Sequence, residues 1–149
     1  MSNAPYGKHC KADIKSVEEN INDIAGVRII CSFTSDIYRI ADMIRNQKDI
    51  QVIGVKDYIT YPKVSGYRSY HMIVTVPVYL SDRLVDTKVE IQIRTVAMDF
   101  WASLEHKLKY KTDSEVSSEL AQQLKDCAET IAATDLKMQS IYKTLKELD

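Results

Sequence analysis

Apolar residues recur along this chain in two rhythms. From Ala12 to about Asn22, Ile14, Val17 and Ile21 stand three and four apart between charged residues, the pattern of a short amphipathic helix. Gly26 follows, within the run AGVRIICSF from Ala25 to Phe33, whose shortness and β-branched content predict a buried strand. Ser35 or Asp36 then caps a helix reaching about Asn46, with Ile37, Ile40, Ala41 and Ile44 on one face. Ile50 to Val55 reads as a second strand. The polar stretch DYITYPKVSGYRS, with Pro62 and Gly66, reads as a loop.

Tyr70 to Leu80 forms a third predicted strand, its end placed at an edge or bulge by Pro77, and SDRLVD makes a hairpin connection. In the fourth, Thr87 to Arg94, Val89, Ile91 and Ile93 alternate with Lys88, Glu90, Gln92 and Arg94, so one face is apolar and the other ionic. TVAMDFWASLEHKLKY predicts a helix with Thr95 near its start, and SEVSSEL opens a last long helix. The fold class is therefore α/β. In the last helix, Leu120, Leu124, Cys127, Ile131, Thr134, Met138, Ile141, Leu145 and Leu148 form a heptad seam. Packing against the helix of Trp101 and a subunit interface both explain it.

Composition narrows the function classes. A chain of 149 residues, 45% hydrophobic, suits one domain, and a net charge of -1 gives no broad basic surface for nucleic acid or an acidic membrane. Any anion site is local. Cys10, Cys31 and Cys127 are too few and too scattered for a disulfide framework or a zinc site. With no apolar stretch of membrane length and no secretory core, the expectation is a cytoplasmic protein without a membrane partner. Ser2, Asn3 and Ala4 after Met1 read as the remnant of a purification tag, so residues 1–4 are set aside.

Candidate chemistry gathers in the middle of the chain. Glu90 is flanked on its own strand face by Lys88 and Gln92, and the preceding segment supplies Lys56, Lys63, Arg68 and His71. A solvent-exposed face would look similar, but cations crowded around a carboxylate also suit polyphosphate and Mg²⁺. Asp23 is a second candidate carboxylate or simply a turn residue. Tyr58, Tyr61, Tyr67 and Tyr70 cluster in the loop and its borders. Tyr67, directly after Gly66, suits a stacking platform for a purine or a place in the core.

The strings INDIAGVRIICSFTSDIY, VKDYITYPKVSGYRSYHMIV and VEIQIRTVAMDFWASLEHKLKYK, in this order, resemble the synthetase domain of RelA/SpoT proteins, especially the small stand-alone alarmone synthetases. The resemblance implies a mixed β-sheet flanked by helices, nucleotidyltransferase-like, over residues 5–112, with residues 113–149 as a packing or oligomerising helix. The implied reaction moves pyrophosphate from ATP to the 3′-hydroxyl of GDP or GTP, with Mg²⁺ as cofactor and AMP as leaving product.

By position, Asp23 resembles the Mg²⁺-binding aspartate, and Glu90 the glutamate that assists deprotonation of the 3′-hydroxyl and approaches the metal. Arg28 resembles an ATP-contacting arginine, and Tyr67 the tyrosine stacked on guanine. Lys63 and His71 resemble holders of the acceptor's phosphates, and Lys56 a further phosphate-facing cation. Gln92 and Arg94 support the same substrate-binding face.

Asp99 falls where small synthetases often carry a guanine-reading asparagine, and a carboxylate accepts from N1 and N2 without donating to O6. The family's Arg-x-Lys-type ATP-gripping segment, upstream of DIAGVRI, has no match in Lys8, Lys11 or Lys15, so the chain is expected to begin inside the domain, to bind ATP weakly and to be weakly active or inactive by itself. Two other functions compete: a relative that pyrophosphorylates the 3′ end of tRNA, although the charge does not point to RNA, and a non-catalytic nucleotide-binding or oligomerisation module.

Overall fold

The structure is a computed structural model and describes residues 25–111 and 117–148, with the backbone alone for 110 and 111. The predicted helix over 12–22, Asp23, Cys10 and the lysines Lys8, Lys11 and Lys15 lie outside the described residues. The elements run β1 (Ala25–Cys31), α1 (Thr34–Arg45), β2 (Gln51–Asp57), β3 (Tyr70–Tyr79), β4 (Leu84–Thr95), α2 (Val96–Lys111) and α3 (Ser118–Glu147).

The four strands form one mixed sheet in the order β1-β4-β3-β2. β1 lies parallel to β4, while β3 is antiparallel to both of its neighbours. Helix α1 connects the two edge strands, so it crosses the sheet, and its Ile37 and Ala41 join Met72, Val74, Ile91 and Ile93 in the core. Each fully buried Ile, Val or Met side chain among them contributes about 1.5–3 kcal/mol through removal of apolar surface from water. Asp36 accepts the Phe33 N–H at 3.2 Å and so closes the first turn of α1.

Two strands depart from the sequence pattern. β1 was expected to be buried, yet Val27 and Ile30 are 48% and 42% exposed, because it is an edge strand rather than a central one. β4 begins at Leu84, so half of SDRLVD is strand, and the turn is closed by Leu80 N–H donating to Arg83 C=O at 2.8 Å. Pro77 is tolerated because β3 outruns β2: the β2 ladder stops at Thr75, and Pro77 faces only Asp86 of β4.

α3 spans the end of the sheet where β1 and β4 finish. Trp101 of α2 donates its indole N–H to Leu124 C=O at 2.8 Å, Thr95 donates to Asp135 at 2.7 Å, and Gln139 accepts the Ser35 N–H at 2.9 Å. The Phe33 and Tyr142 rings stack at 4.3 Å. The packed stripe, with Ala128, Asp135 and Gln139 beside Leu124 and Ile131 of the heptad seam, overlaps that seam only in part. Leu120, Met138, Ile141 and Leu145 of the seam are each about half exposed. Packing on the helix of Trp101 is real, and Leu124 and Ile131 of the seam share it with Ala128.

Candidate active site

Strand register builds the site. Arg28 of β1 pairs with Gln92 of β4, Gln92 with His71 of β3, and His71 with Lys56 of β2. Directly paired residues point to the same side of a sheet. Four polar side chains from four strands thus form one transverse row, on the face opposite α1. Glu90 lies one step along β4 in the next row, opposite Ile73, and Lys88 a further step on, exposed and opposite Thr75.

Arg94 sits at the other end of this face and is only 4% exposed. Its guanidinium donates to Asp99 Oδ1 at 3.1 Å, to the Tyr67 hydroxyl at 2.9 Å and to Gln92 Oε1 at 2.7 Å. Nε meets no partner among the described residues. A buried guanidinium needs such compensation, and Asp99 supplies the opposite charge. Asp99 Oδ1 also lies 3.6 Å from Arg28, so one carboxylate oxygen bridges two arginines.

His71 joins the ring of Tyr67 to Glu90. Its Nε2 is 2.8 Å from the Tyr67 hydroxyl, and its Nδ1 is 3.3 Å from Glu90 Oε1. A carboxylate only accepts, so the Nδ1 side carries the proton and Nε2 accepts from the tyrosine. Burial lowers the His71 pKa from its ordinary value; Glu90 pulls it back up, while Arg94, Lys63 and Lys56 add to the lowering. Gln92 Nε2 donates to the same Glu90 Oε1 at 3.3 Å.

The loop brings Tyr67 and Lys63 to this face. Asp57 starts it by accepting from the N–H groups of Ile59 and Thr60 and from the hydroxyls of Thr60 and Tyr38. Burial raises the Asp57 pKa, but these bonds outweigh it and the net shift is down. A tight turn follows, with Gly66 N–H donating to Lys63 C=O and Lys63 N–H to Tyr67 C=O. Gly66 has φ +102°, the left-handed region, and a Cβ there would fall 2.7 Å from that of Ala128. Lys63 Nζ lies 5.0 Å from the Tyr67 ring centre and 4.9 Å from that of Tyr58.

Of the residues singled out from sequence, the structure therefore gathers Glu90, Tyr67, Lys63, His71, Lys56, Arg28, Gln92, Arg94 and Asp99. Tyr67 is half-buried with its hydroxyl engaged, rather than a free exposed ring. Arg68 does not join them: it donates to Ile59 C=O at 3.3 Å and lines a cavity of about 280 Å³ against Lys125 and Glu129 of α3. Tyr58 was missed as a member. Its ring meets both Tyr67 and His71 edge to face, and its place two residues after Lys56, in the same alternation, was the available signal. No group of three or more His, Cys, Asp or Glu that could hold a metal occurs among the described residues. Glu90 Oε2, which receives no hydrogen bond among the described residues, is a hard oxygen ligand of the type Mg²⁺ takes alongside substrate phosphates.

Residues 5–115 match the family model described as the region found in RelA/SpoT proteins. The chain belongs to the RelA/SpoT family. Among RelA/SpoT relatives, GTP pyrophosphokinase YwaC of Bacillus subtilis is 51% identical over 136 residues, 91% of this chain and 65% of that protein. The chain thus spans a little under two thirds of that relative's length. The crystal structure of small alarmone synthetase 2 from Bacillus subtilis superposes with TM-score 0.80 at 50% identity, covering 92% of this chain and 71% of that one. That of small alarmone synthetase 1 from the same organism, bound to its product pppGpp, gives 0.78 at 40%, covering 85% and 65%. The mixed sheet with its long C-terminal helix is thus the architecture of these RelA/SpoT neighbours.

Proposed function

We propose that this chain carries out (p)ppGpp synthesis: transfer of pyrophosphate from ATP to the 3′-hydroxyl of GDP or GTP, with release of AMP. One observation carries the reading. A carboxylate with one uncommitted oxygen, Glu90, shares a sheet face with a tyrosine and a set of cations, in a chain half identical to a GTP pyrophosphokinase.

In this reading Tyr67 stacks on guanine, and Asp99 accepts from the N1 and N2 edge of the base. Lys63 and Lys56 hold the acceptor's phosphates and Arg28 contacts ATP, while His71, expected from the resemblance to hold phosphate, has both ring nitrogens engaged by Tyr67 and Glu90 and lies beside the phosphates instead. The 3′-oxygen attacks the β-phosphorus of ATP, the bond to the α-phosphate oxygen breaks, AMP leaves, and Glu90 takes the hydroxyl proton. Positioning and cationic stabilisation of the phosphate oxygens supply most of the acceleration. Glu90 and Asp23 would hold Mg²⁺, which when bound offsets phosphate charge. The protein works in the cytoplasm and assembles with copies of itself through the exposed seam of α3; no helix among the described residues is long and apolar enough to cross a membrane.

The test offers labelled ATP with GDP, GTP or tRNA to the wild-type chain and to Glu90→Gln. Label is expected on GDP and GTP alone. Glu90→Gln is expected to lower kcat by about 100-fold or more while guanine nucleotide affinity stays within about threefold. Label on tRNA selects the tRNA-modifying reading, and nucleotide binding with no transfer, both by this chain and by one extended upstream, selects a non-catalytic module.

A further inference from the structure

Glu90 is held by one oxygen only. His71 Nδ1 and Gln92 Nε2 both approach Oε1, each at 3.3 Å, and Oε2 meets no donor among the described residues. Both arms lead back to a single group. Arg94 Nη2 donates to the Tyr67 hydroxyl, which contacts His71 Nε2, and the same Nη2 donates to Gln92 Oε1. Arg94, Tyr67, His71, Glu90 and Gln92 thereby close a ring of polar contacts, with Arg94 braced from outside the ring by Asp99.

We propose that Arg94 is a positioning residue: it orients the Glu90 carboxylate through Gln92 and His71, so that Oε2 is the oxygen presented to the 3′-hydroxyl. The proposal rests on the reading of Glu90 as proton acceptor. Two features support it. At 4% exposure the guanidinium is placed to act through neighbours rather than on phosphate. Gln92 cannot flip its amide without losing both bonds, since its oxygen faces a donor and its nitrogen an acceptor.

Arg94 spreads its bonds over two nitrogens fixed in one plane, Nη1 to Asp99 and Nη2 to Tyr67 and Gln92, and the single nitrogen of a lysine does not reproduce that placement. Arg94→Lys is therefore expected to keep GTP affinity within about threefold and to lower kcat by about 100-fold, the loss typical of misplacing a catalytic group by about 1 Å. In the Glu90→Gln background, Arg94→Lys is expected to change the residual kcat by less than about threefold, because its effect passes through the carboxylate already removed.

A full additive loss in that background overturns the inference, as does a weaker GTP affinity with kcat unchanged, which would make Arg94 a substrate contact. Thermal melts accompany each variant. If Arg94→Lys does not fold, Gln92→Met severs one arm with the guanidinium left in place; the inference then requires a kcat loss of about tenfold that disappears in the Glu90→Gln background. Undiminished synthesis by Glu90→Gln alone sinks the reading of Glu90 and the inference with it, whereas a defective Glu90→Gln enzyme with additive losses sinks the inference only.

Discussion

Two cysteines show how position within the fold sets side-chain chemistry. Cys31 Sγ donates toward Arg94 C=O at 3.3 Å and Phe33 C=O at 3.6 Å, and burial, with Asp36 and Asp135 nearby, pushes its pKa up to about 11 against the opposing pull of Arg39. The thiolate is the reactive form, so Cys31 is expected to react slowly near neutral pH. Cys127 sits exposed on α3. At pH 7.5, iodoacetamide is expected to modify Cys127 at least about tenfold faster than Cys31, as read by peptide mass spectrometry. Equal rates would mean that the end of β1 opens readily. Linear order placed Cys31 in a strand expected to be buried and Cys127 on the apolar seam of the last helix, so it anticipated a covered Cys31 but not an exposed Cys127.

At the scale of elements, the loop between β2 and β3 depends on α3 for its shape. Gly66 is at φ +102° and meets Ala128, with Trp101 beyond, so the turn that presents Lys63 and Tyr67 rests on the inner stripe of the last helix. Gly66→Ala combines backbone strain with a clash and is expected to cost about 1–3 kcal/mol in urea denaturation. Guanine nucleotide affinity should fall with it, because Tyr67 is the next residue. Adding Ala128→Gly relieves the clash but not the strain, so partial recovery is the expected result. Full stability and full affinity in Gly66→Ala would show that this contact does not shape the loop.

At the scale of the whole molecule, α3 has an inner side that packs and an outer seam that the proposed assembly would use. Its inner side fastens the loop, α2 and the start of α1. Its outer seam leaves Met138, Ile141 and Leu145 at 50%, 49% and 58% exposure. Burying such a stripe in a contact between copies would remove apolar surface from water. Ile141→Glu combined with Leu145→Glu is expected to reduce the mass seen by light scattering to that of a single chain. An unchanged mass would exclude this seam as the interface.

Much of this was written in local order. Alternation along β4 separated its apolar from its ionic face, and the spacing of Ile37, Ile40, Ala41 and Ile44 defined the covering helix, because side-chain period follows directly from backbone geometry. The membership of Glu90, Tyr67 and His71 in one cluster was legible from the order and content of three long motifs. Tertiary structure alone decided the rest. Strand register put Arg28, Gln92, His71 and Lys56 in one row, residues as far as 64 positions apart in the register pairing of Arg28 with Gln92. Edge placement left β1 partly exposed, and helix docking turned Arg68 away from the cluster and chose the stripe of α3 that packs. Periodicity specifies which faces a segment has, but the neighbour that meets each face depends on contacts between distant segments, and no local pattern encodes those.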